Sequence, residues 1–231
     1  MAELENIFGK IRGRLGNVDF YKGKNGKNYC KSASFKRRSS KKPQKCSSVV
    51  FGTVTGMERW LLKIIRIGFP GGNGYPKGVN GFASANAVGV VEPETIHPDQ
   101  PFNRRKKATQ LFRGIINPAK LRIAAGTLVS PRAEAIIDPV NRQATFTHHG
   151  ILINSVDCFM DDKIYGVILF PRKQYCQLVT LGTRGETTSI NVDLPEKVDP
   201  DETALYIFAT SASGKEASDS ICLREPCGQP S

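Results

Sequence analysis

Adjacent His148 and His149 are the most conspicuous candidates for acid–base chemistry in the sequence. An imidazole changes charge near neutral pH, so a histidine beside Ser, Cys or Thr can activate that nucleophile. The chain has no Gly-x-Ser-x-Gly elbow, and the pair follows Phe146 at the end of an apolar run. That placement favours a strand-end pair, facing solvent or partly packed, over a general base. Asp161 and Asp162 could offer oxygen ligands to a divalent cation, but no EF-hand spacing surrounds them. Glu92 and Glu94 form the other carboxylate pair, with Pro93 between them. The cysteines are Cys30, Cys46, Cys158, Cys176, Cys222 and Cys227; none makes a C-x-x-C pair, and His97, His148 and His149 show no zinc spacing with them. The expectation is a protein that is not an enzyme, with no catalytic residue, no metal ligand and no cofactor. The thiols are expected to be reduced, although Cys222 and Cys227 could close a small loop in an oxidising place.

Charge points more firmly towards function. The 231 residues carry a formal net charge of +12. Residues 1–122 hold 24 basic and 7 acidic side chains, a net of +17, whereas residues 123–231 hold 9 and 14, a net of −5. Such polarity suits a polyanion partner. It equally suits the basic part of one subunit meeting the acidic part of the next. The candidate docking residues are Lys22, Lys24, Lys27, Lys31, Lys36, Arg37, Arg38, Lys41 and Lys42, with a second run at Arg104, Arg105, Lys106 and Lys107. Phe20, Tyr21 and Tyr29 lie among the first set as aromatic contacts able to stack on bases or pack on a subunit.

These residues need elements to hold them. Residues 9–38 read as a hairpin: Val18, Phe20 and Tyr21 form one run and the return starts at Tyr29, with Asn25-Gly26 in the turn. Residues 39–44 read as a tether, so residues 1–46 make a basic arm. Val50, Val54, Met57, Leu61, Ile64 and Ile65 recur at helical spacing and predict a helix over 47–67, capped by Ser47 or Ser48 and stopped at Gly68. Trp60 is expected to pack inside. Residues 70–119 look irregular and Gly/Pro-rich, with a short helix through 82–90; Gly71-Gly72-Asn73-Gly74 lacks the ending of a P-loop. Short apolar runs then predict strands over 121–128, 133–137, 143–148, 165–170, 174–181, 187–194, 203–210 and 218–223. The expected fold is mainly β and α+β overall. An antiparallel β-sandwich of the immunoglobulin or fibronectin type III kind spans 120–224, a tail follows at 225–231, and the sandwich folds without the N-terminal half.

Several short pieces together carry a resemblance: Gly13-Arg14-Leu15-Gly16-Asn17-Val18, Phe20-Tyr21, Gly26-Lys27-Asn28-Tyr29, Lys42-Pro43-Gln44, Ile67-Gly68-Phe69, Gly126-Thr127-Leu128, Asp161-Asp162, Val192-Asp193-Leu194-Pro195 and Tyr206-Ile207-Phe208. With them the chain resembles an uncharacterised family of Bacteroidota and their mobile elements. The resemblance implies a basic hairpin and helix joined to an Ig-like domain, and it brings no activity. Cys46-Ser47-Ser48-Val49 stands where that family starts its helix with Gln and Arg. The layout also looks like phage structural proteins that extend an arm from a sandwich. The expected role is therefore a structural or assembly protein, such as a virion component, whose basic arm docks on neighbouring subunits; the alternative is nucleic-acid binding through the basic half. Expected partners are copies of itself, other subunits of an assembly, or nucleic acid. No window of eighteen apolar residues exists, so membrane insertion is not expected. The acidic, h-region-free start predicts no signal peptide, hence a protein cytoplasmic when made and then built into a virion or other assembly.

Overall fold

A computed structural model describes residues 2–3, 13–32, 41–72 and 74–226. Lys36, Arg37, Arg38 and Cys227 lie outside the described residues. The chain forms two compact units, Met1–Lys42 and Pro43–Ser231. It is mainly β, with 37% strand against 23% helix. No helix among the described residues is long and apolar enough to cross a membrane.

The first unit is a small antiparallel sheet in the order β1-β4-β3-β2. Its strands are β1 (Ala2–Glu3), β2 (Gly13–Leu15), β3 (Val18–Lys22) and β4 (Asn28–Ser32). The expected hairpin is present: Tyr21 pairs with Tyr29 and Lys22 with Asn28. Gly26 closes its loop at φ 81°, a left-handed value that costs glycine little. Residues 13–32 of this sheet are all exposed or half-buried.

The second unit begins with the long helix α1 (Lys42–Gly68). It starts five residues before the predicted 47. Pro43 sits in the first turn, where its missing N–H has no helical partner to lose. Ser47 and Ser48 are therefore inside the helix and cap nothing; their hydroxyls donate back to the carbonyls of Pro43 and Gln44 at 3.0 and 2.9 Å. Gly68 ends the helix through close approach, because a Cβ there would lie 2.5 Å from the Ile123 carbonyl oxygen. A short helix, α2 (Val79–Asn86), follows in place of the expected 82–90. Buried Asn86 donates to the carbonyls of Phe82 and Arg122 at 2.8 Å each and accepts from the Arg122 N–H at 2.9 Å. The region read as irregular also holds a two-stranded hairpin, β5 (Val91–Thr95) with β6 (Phe112–Ile116).

Seven further strands form two sheets. They are β7 (Ala133–Asp138), β8 (Gln143–His148), β9 (Lys163–Phe170), β10 (Tyr175–Thr183), β11 (Thr188–Asp193), β12 (Ala204–Thr210) and β13 (Ile221–Arg224). One sheet runs β10-β9-β12-β13 and the other β11-β8-β7, with every pairing antiparallel. The predicted strand over 121–128 is not one. Ile123, Ala124 and Ala125 are buried consecutively rather than alternately, and Ala125 N–H bonds to the Gly68 carbonyl at 3.1 Å.

The larger sheet is covered on both faces, which is why all seven residues of β12 are buried. Ile164, Ile168, Phe170, Leu205, Ile207 and Ala209 meet Phe146, Ala144 and Ile137 of the smaller sheet. At Gly166 the Phe146 ring comes so near that a Cβ would touch it at 3.1 Å. On the other face Val167, Leu169, Tyr206 and Phe208 join Val54, Met57, Leu61, Ile64 and Ile65 of α1 in one core. The α1 helix thus forms an outer layer on the sheet: residues 120–224 supply the whole core between the two sheets, but the core on the other face is closed by residues outside them. Trp60 is half-buried and packs at the margin of this layer.

Candidate functional site

The small sheet separates the three aromatic candidates. Side chains alternate along a strand, so Tyr21 and Tyr29 share one face and Phe20 with Val18 takes the other. The tyrosine rings stack at 5.9 Å, and the Lys31 ammonium sits 5.3 Å from the Tyr21 centroid. Lys22, Lys24, Lys27 and Lys31 are exposed, as are Lys41 and Lys42 beyond the sheet.

The second basic run lies on a loop of the Pro43–Ser231 unit. Arg104, Arg105, Lys106 and Lys107 are all exposed. Their backbone is pinned from beneath by Lys45, a residue the sequence did not single out, whose side chain is only 6% exposed. Its ammonium donates to the carbonyls of Asn103, Arg104 and Lys106 and lies 5.4 Å from the Phe102 ring centroid. Three carbonyls and a ring face replace its water, which is how a buried ammonium is tolerated. The four neighbouring cations are thereby fixed on a shaped loop.

The histidine pair divides. His149 is exposed, whereas His148 is buried, with Nδ1 3.0 Å from the Glu186 carbonyl oxygen. Burial lowers the His148 pKa below the ordinary imidazole value; the Glu186 carbonyl opposes this, and repulsion from Arg184 and His149 adds to it. A neutral His148 holds its strand end in place rather than acting as a base at an open site. The fold favours the uncharged ring, so the unfolded chain takes up a proton first as pH falls. Stability is therefore expected to decline as pH falls below the ordinary imidazole pKa near 6.5, with a slope set by the uptake of up to one proton on unfolding. Thermal melting between pH 7.5 and 5.5 checks this, and His148→Gln should flatten that part of the profile.

The aspartate pair divides as well. Asp161 is exposed, but Asp162 is buried and its Oδ2 accepts from Arg184 Nε at 3.1 Å and from the Phe159 N–H at 3.0 Å. Arg184 is also buried and donates to the Val129 carbonyl at 2.7 Å. This ion pair ties together three segments at the end of the sheets where β9 begins. Glu92 and Glu94 are exposed on β5, where Glu94 pairs across the hairpin with Arg113. Among the described residues no cluster of three His, Cys, Asp or Glu could hold a metal ion. Burial pushes the thiols of Cys176 and Cys222 up to about 11, which suits packing rather than nucleophilic attack.

Two surface features, an apolar loop and a mixed groove, were not singled out by the sequence reading. The loop between β8 and β9 presents Leu152, Ile153 and Val156, which are 87%, 80% and 83% exposed. The apolar run Ile151-Leu152-Ile153, falling between predicted strands, was its sequence signal. At the opposite end of the larger sheet, a groove of about 450 Å³ is lined by Met57, Trp60, Ile115, Ile116, Leu169 and Pro171 among others. No family model matches the chain, and no curated protein or solved structure matches it either.

Proposed function

We propose that this chain is a non-enzymatic structural subunit of a multi-copy assembly, such as a virion, and that its basic arm docks on a neighbouring subunit. One observation carries the reading. Residues 13–32 of the small basic sheet include no buried side chain, while both hydrophobic cores lie between residues 43 and 226. A sheet that small is marginal alone, and Val18 and Phe20 stay half-exposed on one of its faces. An acidic neighbour would complement it, and residues 123–231 carry the opposite net charge of −5.

We further read strands β7–β13 as a fibronectin type III-like sandwich. Counted along the chain, the first, second and fifth strands share one sheet, and the fourth, third, sixth and seventh share the other. In a constant-type immunoglobulin domain the fourth strand joins the first group. Here β10 pairs with β9 instead, which favours the fibronectin variant. The α1 layer is an addition to that plan.

Removal of residues 1–41 tests the arm. The shortened chain keeps both cores and should melt as the full chain does. Sedimentation should show that it assembles only at a concentration at least tenfold higher. Equal assembly by the two proteins would refute arm docking. The stacked Tyr21–Tyr29 face with Lys31 above it supports a second reading, nucleic-acid binding. That reading requires single-stranded DNA to bind the full chain and not the shortened one. Engagement of about six phosphates should then cost roughly a thousandfold in affinity between 50 and 200 mM salt.

A further inference from the structure

We propose that copies of this chain join head to tail, with the β8–β9 loop of one copy seated in the Trp60 groove of the next. The inference rests on the assembly reading above and adds a contact that does not involve the arm. Surface loops usually present polar residues, yet this one points three aliphatic side chains at solvent, each at least 80% exposed. The loop is held rather than loose. Ser155 and Cys158 exchange backbone hydrogen bonds of 2.9 and 3.2 Å, and the Met160 N–H donates to Asn154 Oδ1 at 2.7 Å. Its roots are tied by Ile151 N–H to the Arg184 carbonyl at 3.0 Å and by Val129 N–H to the Asp157 carbonyl at 2.8 Å. Such a preformed projection loses little conformational freedom on docking.

The groove supplies the matching receptacle. Its volume of about 450 Å³ is that of a pocket able to take a few side chains. Its apolar lining includes Trp60 and Ile116 together with the buried Met57 and Leu169. Charge agrees in sign. The loop carries exposed Asp157 and Asp161, while Arg113 and Arg172 line the groove and Arg59 lies beside Trp60. Glu94 lines it too, and Glu202 pairs with Arg172, so the rim stays one positive charge ahead. Position decides the symmetry. The loop enters β9 at Lys163, and the groove lies past its other end, at Phe170 and Pro171. A projection and a receptacle at opposite ends make a heterologous contact, which leaves one of each free on every growing oligomer.

The test uses the full chain in sedimentation across a concentration series. Wild type is expected to grow past the dimer as concentration rises. Leu152→Asp/Ile153→Asp alters only exposed residues, so its thermal melt should match wild type while assembly shifts to at least tenfold higher concentration. Arg113→Glu, also at an exposed position, puts a carboxylate before the incoming aspartates and should do the same. Mixed in equal amounts, the two variants should pair into heterodimers at concentrations where neither assembles alone, because one intact loop and one intact groove then remain to meet. Loop variants that assemble as wild type does would overturn this contact and leave the assembly reading standing. Wild type that stops at a dimer overturns the head-to-tail arrangement. Wild type that is monomeric at every concentration overturns the contact and the assembly reading together.

Discussion

Residues 120–231 on their own are expected to show no cooperative melt, whereas residues 42–231 melt as one unit. The sequence pattern alone favours the opposite result, since the shorter fragment contains every strand of both larger sheets. The packing argues otherwise. Val167, Leu169, Tyr206 and Phe208 are each no more than 1% exposed, and the core they share includes Leu61, Ile64 and Ile65 of α1. Removing α1 strips that core of Val54, Met57, Leu61, Ile64 and Ile65. Full burial of one such side chain contributes about 1.5–3 kcal/mol, so the four on the sheet contribute about 6–12 kcal/mol. That is comparable with the entire stability of a typical domain, about 5–15 kcal/mol. The Tyr206 hydroxyl also loses its 2.7 Å bond to the Pro118 carbonyl, and Cys176 its contact with the Trp60 carbonyl. Circular dichroism of the short fragment should retain some β signal without a sharp transition, and a hydrophobic dye should bind it. Addition of a peptide spanning 42–68 should sharpen the transition. A cooperative melt of 120–231 alone, near that of the longer chain, would show that α1 is dispensable to the sheet.

This contrast shows where sequence reading succeeds and where it stops. Strands β7 and β8 are legible because Ala133–Asp138 and Gln143–His148 alternate between inward and outward residues. The helix is legible from Val54 to Ile65 because its apolar stripe repeats every three or four positions. Its first turn is not, because Lys42 to Ser47 is polar and the one buried residue there is a lysine held by distant carbonyls. The β5–β6 hairpin is obscured by Glu92, Pro93 and Glu94, which read as a break but occupy an exposed edge where Pro is tolerated. Conversely, Ile123, Ala124 and Ala125 have the composition of a strand, yet small residues and Gly126 let that segment wedge against Gly68 and Ala217. The division of Phe20 from the tyrosines follows from period-two alternation alone. Which face of a sheet a helix covers, and that Arg184 meets Asp162 rather than solvent, are facts of tertiary packing that no local pattern encodes.

Breaking the Arg184–Asp162 pair from one side is expected to cost more than removing both partners. Both side chains are almost fully buried, at 3% and 1% exposure, and salt in the medium screens such a pair far less than a surface one. Arg184→Met leaves a buried carboxylate that still accepts from the Phe159 N–H but faces no cation, and Asp162→Asn leaves a guanidinium facing a neutral amide. An uncompensated buried charge typically costs about 3–5 kcal/mol. For a chain of this size that corresponds to a fall in melting temperature of roughly 6–20 °C. The double replacement removes both charges at once and should melt well above the sum of the two losses, a coupling that a double-mutant cycle measures directly. Melts repeated at 0.05 and 0.5 M salt should move the wild type and the variants in parallel, since the interaction lies beyond the reach of the ions. Single losses below about 1 kcal/mol, the range of exposed pairs, would mean that water reaches the site. The pair also anchors the segment carrying Leu152, Ile153 and Val156: Ile151 hangs from the Arg184 carbonyl and Phe159 from the Asp162 carboxylate. A single charge-breaking replacement should therefore weaken assembly at temperatures where the sheets are still folded, because the projection loses its root before the core loses its packing.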